Sequence, residues 1–192
     1  MLPKRTTGAL LLGIGSMIAV SVGIFLFLQR KPAAGTHVSA DTLGVPPPVP
    51  DTIPAPRSNS RLADGTQVYL IGDSKLEPHR NFPAQREITL DGDAFFEVPA
   101  AATDMTVRSK QLLLTVKGKA AFRLNSPSAE VWAELDVLEG TVIVRKAYAS
   151  QFSEPDTLHG GNMQMLNRDI DLMEKETFDT VPLRAWRGKL PY

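Results

Sequence analysis

Three carboxylates crowd the segment LDGDAFFEV at residues 90–98, where Asp91 and Asp93 flank a glycine and Glu97 follows two phenylalanines. Closely spaced carboxylates can act as general acid and base, or can hold a cation. Catalytic carboxylates need a defined separation across a cleft, which two aspartates in one turn do not offer. Asp91-Gly92-Asp93 therefore predicts a turn, and we expect neither an enzyme nor a bound cofactor or metal.

Other chemical signatures are weak along the rest of the chain. His37, His79 and His159 lack the spacing of metal ligands, and the sequence has no cysteine. No nucleophile elbow or phosphate-binding loop is present. The 21 basic residues balance 21 acidic ones, which argues against a nucleic-acid partner, because such a partner requires a basic excess.

The two runs beside the 91–93 turn can be aligned by their apolar residues. A three-residue turn pairs Leu90 with Ala94 and Ile88 with Phe96, and Val98 continues that face. A corner between coils of a solenoid would use the same residues. Both readings place Phe95 on the opposite face, where it either packs inside the domain or marks a partner surface.

A second register test concerns EVWAELDVLEGTVIV, residues 130–144. A two-residue turn at Glu139-Gly140 pairs Val137 with Val142 and Leu135 with Val144. All four apolar side chains then share one face. The apolar pattern and the turn chemistry agree, so the sequence predicts a hairpin here.

Short β-prone runs continue from Arg61 to Arg145, and no amphipathic helix interrupts them. QVYL (67–70) follows the turn residues Asp64 and Gly65. The pattern predicts an all-β domain of about nine to twelve short strands, arranged as a compact β-sandwich or a short solenoid. The predicted core residues are Val68, Leu70, Ile88, Leu90, Phe96, Val98, Leu135, Val137, Val142 and Val144.

An uncharged apolar run at residues 8–28 is long enough to span a bilayer, at about 1.5 Å per residue. A cleaved signal peptide normally has a shorter apolar region, so we expect a retained transmembrane helix. The helix then crosses the bacterial inner membrane, with residues 1–7 as a short cytoplasmic tail and the main domain in the periplasm. Gly15, Ala19 and Gly23 form a small-residue stripe that could pair two helices in a homodimer.

Prolines dominate the next segment and predict an extended, semi-rigid linker over residues 29–61. The β domain is expected at residues 62–146. A C-terminal extension, residues 147–192, includes MQMLNRDIDLMEKETF, whose apolar residues could line strands or a short helix. We expect strands there.

Four strings together resemble the periplasmic domain of the FecR family of transmembrane sigma-factor regulators: LADGTQVYL, SKL (74–76), REITLDGDAFFEV and VLEGTVIV. A fifth string, AWRGKL (185–190), resembles the segment that follows this domain in the family. The resemblance covers roughly residues 62–145. The family pattern differs at Lys119 and Ala120. In the family, a cytoplasmic domain holds the sigma factor, and a C-terminal module similar to the secretin/TonB fold meets an outer-membrane receptor.

The resemblance implies a periplasmic interaction domain in envelope signalling related to sigma-factor control of iron uptake. The implied protein partners are a sigma-regulator or a component of a TonB-dependent receptor. Seven residues before the predicted helix are too few for the family's sigma-binding domain, and the chain ends where its last module would begin. The alternative is a structural or ligand-binding envelope protein that uses the same β domain without a sigma-factor role.

Overall fold

A computed structural model describes residues 53–152 and 154–190. This part of the chain contains nine strands and one helix. Their bounds are β1 Pro56–Arg61, β2 Gln67–Pro78, β3 Glu87–Val98, β4 Met105–Arg108, β5 Leu112–Ser126, β6 Trp132–Lys146, β7 Asp156–His159, β8 Asn162–Asn167, β9 Leu172–Thr177 and α1 Thr180–Arg187. The predicted all-β class is confirmed.

All nine strands belong to one open sheet, in the order β1-β2-β3-β4-β5-β6-β8-β9. β7 pairs with β6, and β3 also pairs with β5. Every pairing is antiparallel except that of β3 with β4. The architecture is therefore a single sheet with β1 and β9 at its ends, where the sequence had left a sandwich and a solenoid open.

The four long strands each bend at a glycine with positive φ: Gly72 in β2, Gly92 in β3, Gly118 in β5 and Gly140 in β6. Gly92 lies opposite the three residues 72–74, and the β2–β3 register shifts there. In the same way, Gly140 lies opposite residues 118–120 of β5. Residues before and after each bend join the same buried cluster, so the sheet folds over one core.

The hairpin predicted at Glu139-Gly140 is wrong, and so is the hairpin alternative at residues 91–93, because both glycines lie inside continuous strands. Val137 pairs with Phe122, and Val142 pairs with Val116, across β5 and β6 rather than with each other. Asp91-Gly92-Asp93 is likewise the bend of β3, not a loop between two strands. Positive φ at glycine serves a bulge as well as a turn, and the bulge keeps the apolar residues on one face.

The core lies inside the bent sheet. Phe96 and Phe122 stack at its centre with ring centroids 4.9 Å apart. Leu70 is partly buried and packs against the same cluster. The other nine residues predicted for the core are fully or almost fully buried: Val68, Ile88, Leu90, Phe96, Val98, Leu135, Val137, Val142 and Val144.

The domain begins earlier than the proline pattern predicts. Residues 56–61, assigned to the linker, form β1 and pair with β2. The linker prediction was wrong for these residues because Pro56 and the polar residues after it show no alternation of apolar and polar side chains. An edge strand can form without that alternation. The expected strands of the C-terminal extension are present as β8 and β9.

The predicted transmembrane helix at 8–28, its Gly15, Ala19 and Gly23 stripe, and the linker up to residue 52 lie outside the described residues. Within residues 53–152 and 154–190, no helix has the length and apolar character needed to cross a membrane.

Candidate interaction face

The aspartates of the opening motif hold the bend of β3. Asp91 accepts hydrogen bonds from the backbone N–H of Ser128, at 2.7 Å, and from its hydroxyl, at 2.8 Å. These bonds hold the pKa of Asp91 below its ordinary value. Asp93 receives two bonds from Arg123, from Nε at 3.0 Å and from Nη2 at 2.8 Å. Each carboxylate is thus bound to a different neighbour, and the pair does not face one cleft.

The predicted turn at Asp64-Gly65 joins β1 to β2, with Gly65 at φ +87°. Asp64 accepts bonds from the Thr66 backbone N–H and hydroxyl, both at 2.9 Å, and from Arg86 Nε at 3.0 Å. The Asp64 and Arg86 side chains are almost fully buried. This ion pair fixes the turn against the residue that precedes β3, because a buried charge without its partner would be costly.

Helix α1 begins with a capped turn. Asp179 is its N-cap and accepts a bond from Val181 N at 2.9 Å, while Arg184 and Arg187 lie in the last turn, near the negative end of the helix dipole. Leu183 is the buried residue of the helix.

Phe95 is fully buried beneath α1, on the outer side of the sheet. Its ring lies 5.5 Å from that of Trp186 in an edge-on arrangement and 6.4 Å from that of Tyr69. The buried residues of this second cluster also include Ala121, Leu138, Leu183 and Leu190. The alternative of an exposed partner surface at Phe95 is therefore wrong, because the chain's own helix covers that face.

Two carboxylates of the sheet hold the end of α1. Arg187 donates to Glu97 of β3, at 2.6 Å, and to Glu139 of β6, at 2.8 Å. Trp186 Nε1 donates to the backbone oxygen of Pro54, at 3.0 Å. Helix α1 therefore binds two separate strands and also the segment at which the described chain begins.

A charged band crosses the outer face beside α1. Arg123 contacts Asp93 directly and lies 3.9 Å from Asp136 and 4.0 Å from Glu134. Burial, together with the nearby Glu134 carboxylate, raises the pKa of Asp136 to about 7. The band borders a cavity of about 490 Å³, which α1, Ile53 and Pro54 also line.

The sign of the resulting pH dependence follows from this pKa. A carboxyl whose pKa is higher in the folded state than in the unfolded state favours folding when it is protonated. The contribution of Asp136 is fully present below about pH 4, its ordinary range, and is lost as the pH rises through about 7. Above that pH, the folded domain holds a buried carboxylate that only Arg123 opposes.

The part of the chain described by the structure contains no group of three or more His, Asp or Glu residues that could bind a metal ion. Its polar clusters instead fix bends, a turn and a helix.

Residues 51–143 match the sequence model of the family described as FecR protein. Residues 51–143 are therefore similar in sequence to the FecR family. Two crystal structures of a protein assigned as an anti-sigma factor from Parabacteroides distasonis share the fold of this chain. The first has a TM-score of 0.59 and 22% identity, covering 69% of this chain and 60% of that one. The second has a TM-score of 0.60 and 21% identity, covering 72% and 64%.

The chain thus spans less than two thirds of those structures. A comparison with curated proteins found no match. The match to the FecR family ends at Ile143, inside β6, so β7, β8, β9 and α1 lie beyond the matched segment.

Sequence reasoning missed the helix that covers Phe95 in this FecR-like domain. A signal was present, since Asp179 and Thr180 precede Pro182 near the start of the helix, and two arginines precede Gly188. Arg86 and Arg123 were also missed. Nothing in their local sequence indicates that each pairs with an aspartate of a separate turn or strand.

Proposed function

We propose that this chain is a regulator in transmembrane signalling, in which the FecR-like domain serves as a protein-interaction module in sigma-factor control. The family match of residues 51–143 carries the proposal. The shared fold with a protein assigned as an anti-sigma factor supports it. The polar side chains of the domain act as structural ties, which suits a binding module better than a reaction centre.

The proposed topology is a single pass through the inner membrane, with the amino terminus in the cytoplasm and the domain in the periplasm. Its support is the apolar run at residues 8–28. Alkaline phosphatase fused after Tyr192 should be active, because that enzyme needs export, and a cytoplasmic fluorescent reporter fused there should be dark. The reverse pattern would refute the topology.

The proposed signal is nutrient status, with iron uptake as the first condition to examine. The experiment deletes the gene and measures transcripts of each extracytoplasmic sigma-factor regulon under iron limitation and iron repletion. We expect one regulon to lose its normal response and to regain it when the full chain is supplied in trans.

A control is the chain with Glu77→Lys and Glu154→Lys, which changes two exposed charges, one in β2 and one between β6 and β7. This variant should restore the response as well as the wild type does. If no regulon changes on deletion while envelope integrity does, the sigma-factor role is refuted and a structural envelope role is favoured.

A further inference from the structure

The open end of the sheet carries an unusual set of outward side chains. Strands β6, β8 and β9 are paired in register, so their outward residues form three rows. These rows are Trp132–Asn167–Leu172, Glu134–Met165–Glu174 and Asp136–Met163–Glu176. We call these nine residues the outer stripe. It combines apolar and acidic side chains and contains no basic residue.

Large apolar side chains of the outer stripe are solvent-exposed. Trp132 is 38% exposed, Leu172 42% and Met165 49%, and Ile170 in the adjoining β8–β9 turn is 67% exposed. Single exposed apolar residues are ordinary, but neighbours on three adjacent strands make a contiguous patch of the kind that marks an interaction surface.

β9 is an end strand of the sheet, and its outer backbone edge has no strand partner among the described residues. The other end differs, because β1 starts with Pro56 and its register shifts between Pro56 and Ser58. Proline and bulges are two devices that protect an edge from pairing. β9 has neither, since its register with β8 is unbroken from Leu172 to Thr177, and the protection it carries is its short length and the charges of Glu174, Lys175 and Glu176.

Charge specifies the partner. Glu174 and Glu176 point outward from β9 and form no ion pair with a described residue. Residues directly opposite each other on neighbouring strands interact, and opposite charges there are favourable. A strand laid against β9 would therefore favour basic side chains opposite both glutamates and an apolar side chain opposite Leu172.

We propose that β9 accepts an extended segment of a partner protein by strand addition. The segment carries two basic residues, two positions apart, and an apolar residue two positions further along. Backbone hydrogen bonds to β9 supply affinity, while the outer stripe selects alternate side chains. This inference deepens the proposed function by naming a partner surface, and it rests on that function only for the partner's biological role.

The test uses the purified full chain in detergent and blocked, fluorescently labelled peptides. The peptide TKQKVL is designed to run antiparallel to β9, with lysines opposite Glu176 and Glu174 and leucine opposite Leu172. Its charge-reversed counterpart is TEQEVL. Fluorescence anisotropy should show that the wild type binds TKQKVL at least about tenfold more tightly than TEQEVL.

The chain variant Glu174→Lys with Glu176→Lys should reverse this preference, whereas the control with Glu77→Lys and Glu154→Lys should keep it. Circular dichroism of each variant confirms that it is folded. Two N-methylated forms of TKQKVL separate strand addition from simple charge attraction. One is methylated on the odd-numbered backbone amides and the other on the even-numbered ones. One of the two methylated peptides should lose binding, because its methyl groups remove the backbone donors that face β9.

Absence of TKQKVL binding, or a preference that the charge reversal leaves unchanged, would overturn the proposal. Equal binding of both N-methylated peptides would overturn strand addition. Self-association of the wild type that the charge reversal abolishes would show that a second copy occupies this face, and would also overturn it. These peptide results do not depend on any sigma regulon, so failure of the proposed function gives a different outcome.

Discussion

Replacement of Gly140 by alanine tests whether this residue lies in a bulge between paired strands. Gly140 has φ +89°, and a Cβ atom there would lie 2.3 Å from the Lys119 backbone oxygen and 2.8 Å from the Ala120 Cα. Gly118, in the partner strand of the same bend, also has positive φ, +62°, but a Cβ atom there meets nothing within 4 Å. A side chain at either site would be strained by the positive φ, but only a side chain at position 140 would also clash with the neighbouring backbone.

The expected losses in free energy of unfolding follow from that difference. Positive φ costs an alanine about 1–2 kcal/mol, which is the whole expected loss for Gly118→Ala. Gly140→Ala adds a contact with backbone that cannot rotate away, at about 1–3 kcal/mol more. Asparagine tolerates positive φ, so Gly118→Asn should be nearly neutral. Gly140→Asn should remain severe, because its Cβ meets the same backbone atoms.

Urea unfolding of the full chain, followed by circular dichroism, measures all four variants. The unfolding midpoint should decrease in the order Gly118→Asn, Gly118→Ala, then both Gly140 variants, with similar slopes. If a Gly140 variant does not fold at all while both Gly118 variants do, the order still holds. A two-residue hairpin at Glu139-Gly140 would accept asparagine readily, so near-wild-type stability of Gly140→Asn would refute the bulge.

Three further variants test single contacts. Asp136→Asn should abolish the loss of stability between about pH 4 and 7, which is at most roughly 4 kcal/mol. If the urea midpoints of this variant still fall across that range, a group other than Asp136 causes the loss. Trp186→Phe keeps a ring beside Phe95 but loses the bond to Pro54, so unfolding should cost about 1 kcal/mol less; an unchanged midpoint would contradict that contact. Gln164→Met should raise the melting temperature, since the buried Gln164 amide has no hydrogen-bond partner among the described residues; a decrease would reveal one.

The sequence predicted which side chains share a face better than it predicted which strands pair. Val137 and Val142 are both fully buried, as the apolar pattern required, yet their partners are Phe122 and Val116. Glycine with positive φ looks the same in a hairpin turn and in a bulge. Only a partner strand distant in sequence decides between them, and local periodicity contains no information about it.

Phe95 shows the same limit for the candidate site. The predicted register correctly placed Phe95 on the face opposite to Phe96, which lies in the core. What covers it depends on a helix that begins more than eighty positions later, at Thr180. Two carboxylates bind that helix. The sequence pattern placed Glu97 on a strand and Glu139 in a turn, and neither assignment indicates a contact with a helix.

The length of α1 explains why one face of the sheet is both covered and open. Eight helical residues span about 12 Å, at about 1.5 Å each. From Leu138, which is buried in the second cluster, to Trp132 at the start of the strand, β6 extends about 20 Å, at about 3.3 Å per residue. A helix anchored to Glu139 by Arg187 is too short to cover that distance. The outer side chains of β6 therefore change from buried Leu138, through the charged band at Asp136, to exposed Trp132. The uncovered end of β6 pairs with β8, beyond which lies β9.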